Sequence, residues 1–382
     1  MLPSQRAQFD IPSDVAYLNA AGWSPLPRAT QDAARAAVAR KAQPWKLSAD
    51  FSDTQHARAR AAAAKLIGAD PHDVALISSV GYGVAIAGKV LNPARGSRVL
   101  VLENDHTSPV LEWMTRAEAQ GFALETVSQP ADGDWTSAVL EAIERPGAAP
   151  VSLASISSVH WSDGGLLDVQ KIRDALRRHG AALLVDATHS VGVIATDVKT
   201  LDPDFLVFPT YKWVLGPYGR AFVYVAKRHQ EGVPLEQTSF ARRDVRAESP
   251  VYFADTRYLP DARRFDMGER DHFISMEMAA IGMEMMASWG ADAVVGRLSA
   301  LTRRISDGLA TSNALRPDDR FRAPHILCLR FPNSTLGEVI GKLAQEQIYV
   351  APRLGRMRIS PHVYNDEADA DRFVATVRRA TS

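Results

Sequence analysis

A series of short apolar runs separated by helical patterns constrains the fold of this chain more than any other feature. The runs span residues 97–103, 150–156, 181–187, 204–210 and 220–226. Each run is apolar on both faces, as in strands of a sheet that is covered by helices on both sides. Between two of them, residues 166–180 have helical periodicity, and Gly180 can cap the end of that helix. The sequence therefore predicts an α/β fold with a mostly parallel sheet.

A change of pattern near residue 261 predicts two domains. Residues 31–260 are expected to form the large domain, in which residues 238–250 have no clear period and are expected to be a loop. Residues 261–382 contain a long helical stretch at 274–290, a second helical pattern and a few short strands, which predict a smaller α+β domain. Residues 1–30 are too few to form a core, so we expect them to pack on the site and on the small domain.

The charge balance and the cysteine count exclude several classes of function. Lys plus Arg and Asp plus Glu both total 44, so no excess charge indicates nucleic acid or an anionic membrane as partner. Residues 1–14 lack the pattern of a signal peptide, and no run reaches the roughly 18 apolar residues of a membrane span. We expect a cytoplasmic protein that acts on a small molecule. The single cysteine, Cys328, excludes an internal disulfide and a metal site built mainly on thiolates, and we assign no metal ligand.

Asp186 and Lys212 each follow an apolar run at the point where its β pattern stops. On its own, Asp186 could equally cap the next helix. Lys212, however, lies 26 residues later at the end of the next run, before a turn rich in glycine and proline. Ligands bind outside the carboxyl edge of open α/β sheets, so two adjacent strands would deliver a carboxylate and an amine to one crevice.

This pair of groups suits pyridoxal phosphate. A lysine can form an imine with its aldehyde, and a carboxylate can pair with its protonated pyridine nitrogen. Ser79, Val80 and Gly81 lie in a turn before a helix and could direct backbone N–H groups at the phosphate, although such a turn is weak evidence alone. His106 follows another strand and could stack on the ring, or it could be a surface histidine.

Five motifs, taken in order along the chain, resemble those of one enzyme superfamily. They read "ENDH", "SSVHW", "VDATHS", "PTYKW" and "RISPHVYND". Together they resemble the fold-type I pyridoxal phosphate enzymes, and more narrowly the class V aminotransferase group, which includes cysteine desulfurases, kynureninases, isopenicillin N epimerases and sulfoxide C–S lyases. The resemblance covers nearly the whole chain. It implies a seven-stranded type of sheet, pyridoxal 5′-phosphate as cofactor and a homodimer.

The resemblance also implies roles for residues around the cofactor. Asp186 would pair with the pyridine nitrogen and Lys212 would form the internal imine. His189 would lie near the phenolic oxygen and the imine. Thr210 and Tyr211 would help to bind the phosphate.

Further residues are implied to bind the substrate. Arg358 matches the arginine that clamps the α-carboxylate, a role that suits a planar fork of donors. Its alternative is a surface arginine on a strand. Residues 17–27 match an N-terminal segment that reaches into the site, which makes Asn19, Ala20 and Gly22 candidate substrate neighbours.

The chain departs from the pattern of its relatives at three places. Desulfurases that form a persulfide carry a loop cysteine shortly before the clamp arginine, which is missing here, and Cys328 lies in an alternating apolar strand. Trp161 stands where such relatives often hold an asparagine against the phenolic oxygen. The segment 265–273 resembles a loop that reaches the partner's phosphate, but Glu269 follows its glycine, so Arg270 is the candidate ligand there.

The leading hypothesis is an enzyme that acts on an amino acid or an amino-acid conjugate through an external aldimine. We favour elimination from Cβ, as in a C–S lyase, over transamination, retro-Claisen cleavage and epimerisation. His106, His160, His189 and His272 all lie in motif loops and could protonate a leaving group. A non-catalytic effector-binding protein is the second class, and a nicotinamide-binding enzyme is excluded because no G-x-G-x-x-G follows the first strand.

Overall fold

The computed structural model describes residues 2–272, 274–332 and 335–381. Its strands are β1 (Ala16–Tyr17), β2 (Val74–Ile77), β3 (Arg98–Leu102), β4 (Ala123–Val127), β5 (Val151–Ser157), β6 (Ala182–Asp186), β7 (Phe205–Pro209), β8 (Ala221–Val225), β9 (Arg242–Asp244), β10 (Asp255–Tyr258), β11 (Leu327–Leu329), β12 (Ile348–Tyr349), β13 (Ala351–Arg353) and β14 (Arg356–Ile359). Its α-helices are α1 (Arg28–Lys41), α2 (Phe51–Leu66), α3 (Val80–Val90), α4 (Thr107–Gln120), α5 (Trp135–Ile143), α6 (Val169–Arg178), α7 (Val198–Leu201), α8 (Ser275–Trp289), α9 (Ala291–Gly308), α10 (Leu336–Gln345) and α11 (Glu367–Thr381).

The largest sheet has seven strands in the order β2-β8-β7-β6-β5-β3-β4. The neighbours from β4 to β7 are parallel, whereas β8 runs antiparallel to both β7 and β2. The predicted α/β fold with a mostly parallel, seven-stranded sheet is confirmed. The register places Asp186 beside Ser157 on one neighbouring strand and beside Val207 on the other, so β6 ends at the centre of the carboxyl edge.

Apolar side chains cover the sheet on both faces because successive residues of a strand point to opposite sides. In β3, Val99 and Val101 pack in one layer with Trp113 of α4. Leu100 and Leu102 pack in the other layer with Trp135 of α5. Within the described parts of the chain, no helix has both the length and the apolar character that crossing a bilayer requires.

The predicted strands at residues 97–103, 150–156, 181–187, 204–210 and 220–226 all form strands of this sheet. The edge strand β4 escaped prediction because only one of its five residues, Val127, is buried, and because it lacks a continuous apolar run. The prediction of a loop at 238–250 is wrong in part, because β9 lies within it and pairs with β10. That hairpin is polar and largely exposed, so burial leaves no periodic pattern in its sequence.

The C-terminal part of the chain forms a second, smaller sheet with the strand order β11-β14-β13, accompanied by α9, α10 and α11. Helix α8 packs mainly on α1 and α2, through apolar residues such as Met283. The N-terminal segment joins the C-terminal part, since β1 pairs in parallel with β12 and Asn19 bridges to Ser360. The domain limits at residues 30 and 260 stay predictions.

Candidate active site

A cavity of about 240 Å³ lies at the carboxyl edge of the large sheet, next to the start of α3. The ends of β5, β6 and β7 converge there because parallel strands present their carboxyl ends at one edge. The described residues that line it include nine of the predicted site residues, namely Ser79, Val80, Gly81, His106, Trp161, Asp186, His189, Tyr211 and Lys212. The cavity lining also includes residues that the sequence analysis did not identify, among them Ser108, Thr188, Tyr218 and Arg220.

Lys212 lies in the turn after β7 and is buried. Its Nζ atom is 3.5 Å from Nε2 of His189. Burial lowers the pKa of Lys212 to about 7, and the charge of Arg358 adds to this while Asp186 opposes it. Near neutral pH a large fraction of this amine is therefore uncharged and able to act as a base or a nucleophile.

His189 is held in one tautomer by its neighbour Trp213. The indole Nε1 of Trp213 donates a hydrogen bond of 2.9 Å to Nδ1 of His189, and an indole N–H can only donate. Nδ1 must then be unprotonated, so the ring proton lies on Nε2, which faces Lys212. Burial, followed by the charge of Lys212, lowers the pKa of His189 well below its usual value, so the ring is neutral. His325 also holds His189 in place, because Nε2 of His325 lies 2.8 Å from the main-chain oxygen of His189.

Asp186 is the last residue of β6 and is buried. Its Oδ1 accepts hydrogen bonds from the main-chain N–H of Thr188 at 2.9 Å and from the hydroxyl of Thr188. Ser158 donates its N–H to the main-chain oxygen of Asp186 at 3.0 Å. Among the described residues, hydrogen bonds reach this carboxylate only at Oδ1. The carboxylate is thus fixed in orientation, and Oδ2 is available to a cationic N–H.

The start of α3 presents groups that could bind an anion. Ser79 caps the helix, with its hydroxyl accepting from the N–H of Tyr82 at 3.1 Å. The first turn of a helix leaves its N–H groups free, and here they belong to Val80 and Gly81. A Cβ on Gly81 would have only the hydroxyls of Ser79 and Ser108 near it, both at 3.9 Å, so the space over this turn is open.

Arg220 adds a cation to this anion site. Its Nε donates to the hydroxyl of Ser275 at 2.6 Å, whereas its Nη1 is buried and has no hydrogen-bond partner. Burial lowers the pKa of Arg220 to about 10. A buried guanidinium nitrogen without a partner is costly, and an anion at the α3 turn would satisfy it. Hydroxyls, helix N–H groups and an arginine therefore fit a phosphate group.

His106 and Trp161 form another wall of the cavity, with ring centroids 6.1 Å apart and planes nearly perpendicular. Asp105 holds this turn, because its Oδ1 accepts from the N–H of His106 and from the hydroxyl of Ser157, both at 2.7 Å. Burial raises the pKa of Asp105 to about 6 and lowers the pKa of His106. The indole of Trp161 donates to the main-chain oxygen of Asn104 at 2.7 Å, so it does not offer a donor to the cavity.

Arg358 lies on β14 behind Trp161 and is 1% exposed. Its Nη1 donates to the main-chain oxygen of Trp161 at 2.7 Å, while its Nε is buried without a partner. Burial lowers the pKa of Arg358 to about 10, and the charge of Arg353 adds to this. The residue therefore sits beside the cavity rather than in its lining.

The N-terminal segment passes between β14 and the Lys212 turn. Ala20 donates its N–H to the main-chain oxygen of Ser360 at 2.9 Å, and Ser24 donates its N–H to the main-chain oxygen of Tyr211 at 3.1 Å. The side-chain oxygen of Asn19 is buried without a partner. Gly22 packs tightly against this side chain, because an added Cβ would lie 2.9 Å from the Asn19 amide.

Two predicted cofactor residues have their polar groups engaged elsewhere. The hydroxyl of Thr210 donates to the main-chain oxygen of Pro217 at 2.6 Å, which holds the turn that carries Lys212. The guanidinium of Arg270 pairs with Asp266 and lies 4.6 Å from the ring centroid of Phe240. Neither residue lines the cavity. Phe273, at the end of the predicted partner loop, lies outside the described residues.

Two of the four motif histidines, His160 and His272, also lie outside the cavity lining. His160 is buried, with Nδ1 3.0 Å from Asp163, and its ring stacks on Trp135. The ring of His272 accepts from the N–H of Ser275 at 3.1 Å. Of the four, His106 and His189 line the cavity.

Cys328 lies in β11, where burial raises the pKa of its thiol to about 12. Its sulfur is 3.5 Å from the main-chain oxygen of Ser162. Such a thiol is not a nucleophile near neutral pH. No group of three or more His, Cys, Asp or Glu side chains that could hold a metal is found in the described ranges.

Comparison with known proteins gives a consistent result over almost the full length. The family model for aminotransferase class V matches residues 16–373. An uncharacterized aminotransferase, YcbU of Bacillus subtilis, is 27% identical over 80% of this chain and 78% of its own. Isopenicillin N epimerase of Streptomyces clavuligerus is 24% identical over 96% of this chain and 95% of its own length. The structure of a cysteine desulfurase from Thermococcus onnurineus superposes with a TM-score of 0.85 at 20% sequence identity. The superposition covers 98% of this chain and 97% of the desulfurase chain.

Proposed function

Because the chain belongs to the class V aminotransferase family and is a pyridoxal phosphate-dependent enzyme, we propose that it eliminates a leaving group from Cβ of an amino acid or amino-acid conjugate. The bond broken would be a carbon–sulfur bond or a similar one. The observation that carries the first step, removal of the Cα proton, is the buried Lys212 amine, 3.5 Å from the protonated Nε2 of a neutral His189. A base of this kind suits removal of a proton from Cα.

The residues of the cavity suit pyridoxal phosphate. Ser79, Gly81, Ser108 and Arg220 would hold the phosphate, Oδ2 of Asp186 would face the ring nitrogen, and His106 would lie against the ring. When bound, the cofactor supplies an electron sink for the charge that develops at Cα. Lys212 would attach to its aldehyde carbon before substrate enters. Val80 would contribute a main-chain N–H to the phosphate site.

Proton transfer is assigned to Lys212 and His189. With its pKa lowered to about 7, Nζ can accept the Cα proton and then, as an ammonium group, return it to the departing thiolate or similar group. His189 is neutral and does not supply a proton of its own, but Nε2–H can hold the leaving group by a hydrogen bond. We therefore place the acid on Lys212 and not on a histidine.

The position of Cys328 favours direct release of the leaving group. A persulfide relay needs an accessible thiolate near the substrate, and this thiol is buried in β11 with its pKa raised to about 12. The leaving group would depart as a protonated small molecule. The remaining 2-aminoacrylate would hydrolyse with water to pyruvate and ammonia.

We also propose a homodimer. Trp45 and Phe253 are 76% and 66% exposed, and large exposed apolar side chains are typical of association surfaces. The segment 265–273, whose Arg270 is now paired within its own chain, would lie at the interface. A cytoplasmic location stays a prediction, as does the absence of nucleic acid and membrane partners. A monomer that keeps full activity on dilution would contradict the dimer.

The test offers cysteine conjugates and alanine-type donors separately to purified enzyme. Pyruvate with ammonia from the conjugates supports elimination. Conversion of the cofactor to pyridoxamine phosphate with a 2-oxo acid and no ammonia would show transamination, and a change of configuration alone would show epimerisation. Lys212→Ala should lose borohydride labelling of this lysine, with Lys227→Ala as the control that keeps it. Label on Lys89 or Lys227 instead, or no turnover of any amino acid by the holoenzyme before reduction, would contradict the assignment.

A further inference from the structure

A group of arginines lies together on one face of the small sheet. Arg353 and Arg356 are register partners on β13 and β14, and Arg358 follows two residues along β14, so their side chains start from the same face. Their side-chain hydrogen bonds go to neutral acceptors, which are Pro352, Gln129 and Trp161. None of the three forms an ion pair with a carboxylate within the described ranges. Asp163 partly compensates the charge of Arg356, whereas Arg353 and Arg358 have no carboxylate partner in these ranges.

Arg353 and Arg358 flank the same cavity residue, Trp161. Arg358 donates to its main-chain oxygen at 2.7 Å, and the guanidinium carbon of Arg353 is 5.9 Å from its ring centroid. Arg353 is half-buried and sits at the tip of the β13–β14 hairpin, where Leu354 and Gly355 form the turn with positive φ angles of 44° and 75°. The hairpin thus holds a second guanidinium beside Trp161, which lines the cavity.

One singly charged anionic group would compensate the charge of only one of these two arginines. The resemblance implies that Arg358 binds the α-carboxylate of the substrate, which would compensate one charge. Arg353 lies close enough to lower the pKa values of both Lys212 and Arg358, so it adds like charge to a buried site. Like charges that oppose each other across strands are destabilising, and uncompensated buried charge is costly. A second anion from the ligand would relieve this repulsion.

We infer that Arg353 binds a second anionic group on the substrate side chain, so that acidic amino acids are preferred over neutral ones. The group could be a carboxylate, a sulfinate or a sulfonate, each of which presents two or more oxygens to a guanidinium fork. The inference rests on the proposed function, because it requires an amino acid to bind in this cavity, with its α-carboxylate at Arg358 as the resemblance implies.

The experiment compares isosteric ligands that differ only in side-chain charge. Holoenzyme is titrated with L-aspartate and L-asparagine, and with L-glutamate and L-glutamine, following the cofactor absorbance and, independently, the heat of binding. We expect the better acidic ligand to bind at least about tenfold more tightly than its amide, as for loss of a charge-assisted hydrogen bond. In Arg353→Gln this ratio should fall to about one, with the affinity for the amide unchanged.

The control is Arg330→Gln. Arg330 follows β11, is exposed, and lies beyond the Leu329–Met357 register pair on the far side of β14 from Arg353. This variant removes the same charge and should keep the preference for the acid. If the wild type binds the acid and the amide with equal affinity, or if Arg353→Gln weakens binding of both ligands equally, the inference is wrong while the proposed function is unaffected. No response to any amino acid, together with no borohydride label on Lys212, would overturn the proposed function as well.

Discussion

The indole of Trp213 donates a hydrogen bond of 2.9 Å to Nδ1 of His189, and this bond decides where the imidazole proton lies. Trp213 follows Lys212 directly in the chain, so one turn places both the amine and the group that orients its neighbour. Two histidines from the C-terminal part secure this arrangement. His325 lies 2.8 Å from the main-chain oxygen of His189, and His362 lies 3.1 Å from that of Trp213.

Trp213→Phe should keep the fold and the cofactor but lower kcat by roughly tenfold to a hundredfold, because His189 can then change tautomer or rotate away. The tautomer can be followed directly by ¹⁵N NMR of the His189 ring, which should report Nε2–H in the wild type and a mixture in the variant. Trp289→Phe, at a half-buried tryptophan outside the cavity lining, is the matched control and should change neither quantity. An unchanged tautomer with reduced turnover would show that Trp213 acts only by packing.

Arg220→Gln should weaken binding of pyridoxal phosphate by about tenfold or more, because Nη1 loses its anionic partner. Binding of pyridoxal, which lacks the phosphate, should be unchanged, and the two affinities can be measured by equilibrium dialysis of the apoprotein. Arg270→Gln is the informative comparison, since its guanidinium is paired with Asp266. If Arg270→Gln loses phosphate affinity and Arg220→Gln does not, the sequence prediction of Arg270 stands and Arg220 has a structural role.

Asp186→Asn should retain part of its cofactor yet lose turnover by roughly a hundredfold or more, because a neutral amide cannot stabilise a protonated ring nitrogen. Thr188→Val tests the same site more gently, since it removes the hydroxyl that orients Oδ1 and keeps the charge. Asp32→Asn, on the exposed side of α1, is the control. Near-normal turnover of Asp186→Asn in steady-state assays would make this residue a structural one.

The sequence was sufficient for the residues whose position follows from a strand end. Asp186 and Lys212 each close a continuous apolar run, so their meeting at one edge follows from parallel pairing alone. Arg220 was missed because it opens such a run, where a charged residue is usually solvated, and only the fold shows it buried beside Ser275.

Contacts between distant parts of the chain were beyond prediction for a similar reason. Trp213 is conspicuous in the sequence, but its bond to His189 depends on how β6 and β7 align and on the path of the turns that follow them. Arg353 and Trp161 meet only because the β13–β14 hairpin folds over the large sheet. Strand β4 and the hairpin of β9 with β10 are partly exposed, so no apolar period marks them.

The stability of the cofactor-free protein should depend on pH through Lys212. Burial lowers the pKa of this amine from 10.5 to about 7 in the folded state, while the unfolded chain keeps the ordinary value. Between these two values the unfolded state binds the additional proton, so the free energy of unfolding rises with pH in that window. Below pH 7 both states are protonated, and the cost of burying the charge is fully present.

Relative to Lys212→Met, the wild-type apoprotein should therefore gain about 2 kcal/mol between pH 7 and pH 9. Urea unfolding of both proteins at several pH values measures the difference. Lys227→Met, at an exposed lysine, should differ from the wild type by an amount that does not change with pH. A difference between wild type and Lys212→Met that stays constant from pH 7 to pH 9 would mean that the amine titrates normally. It would then remain an ammonium group near neutral pH, and this result would contradict the assignment of Lys212 as the base for the Cα proton.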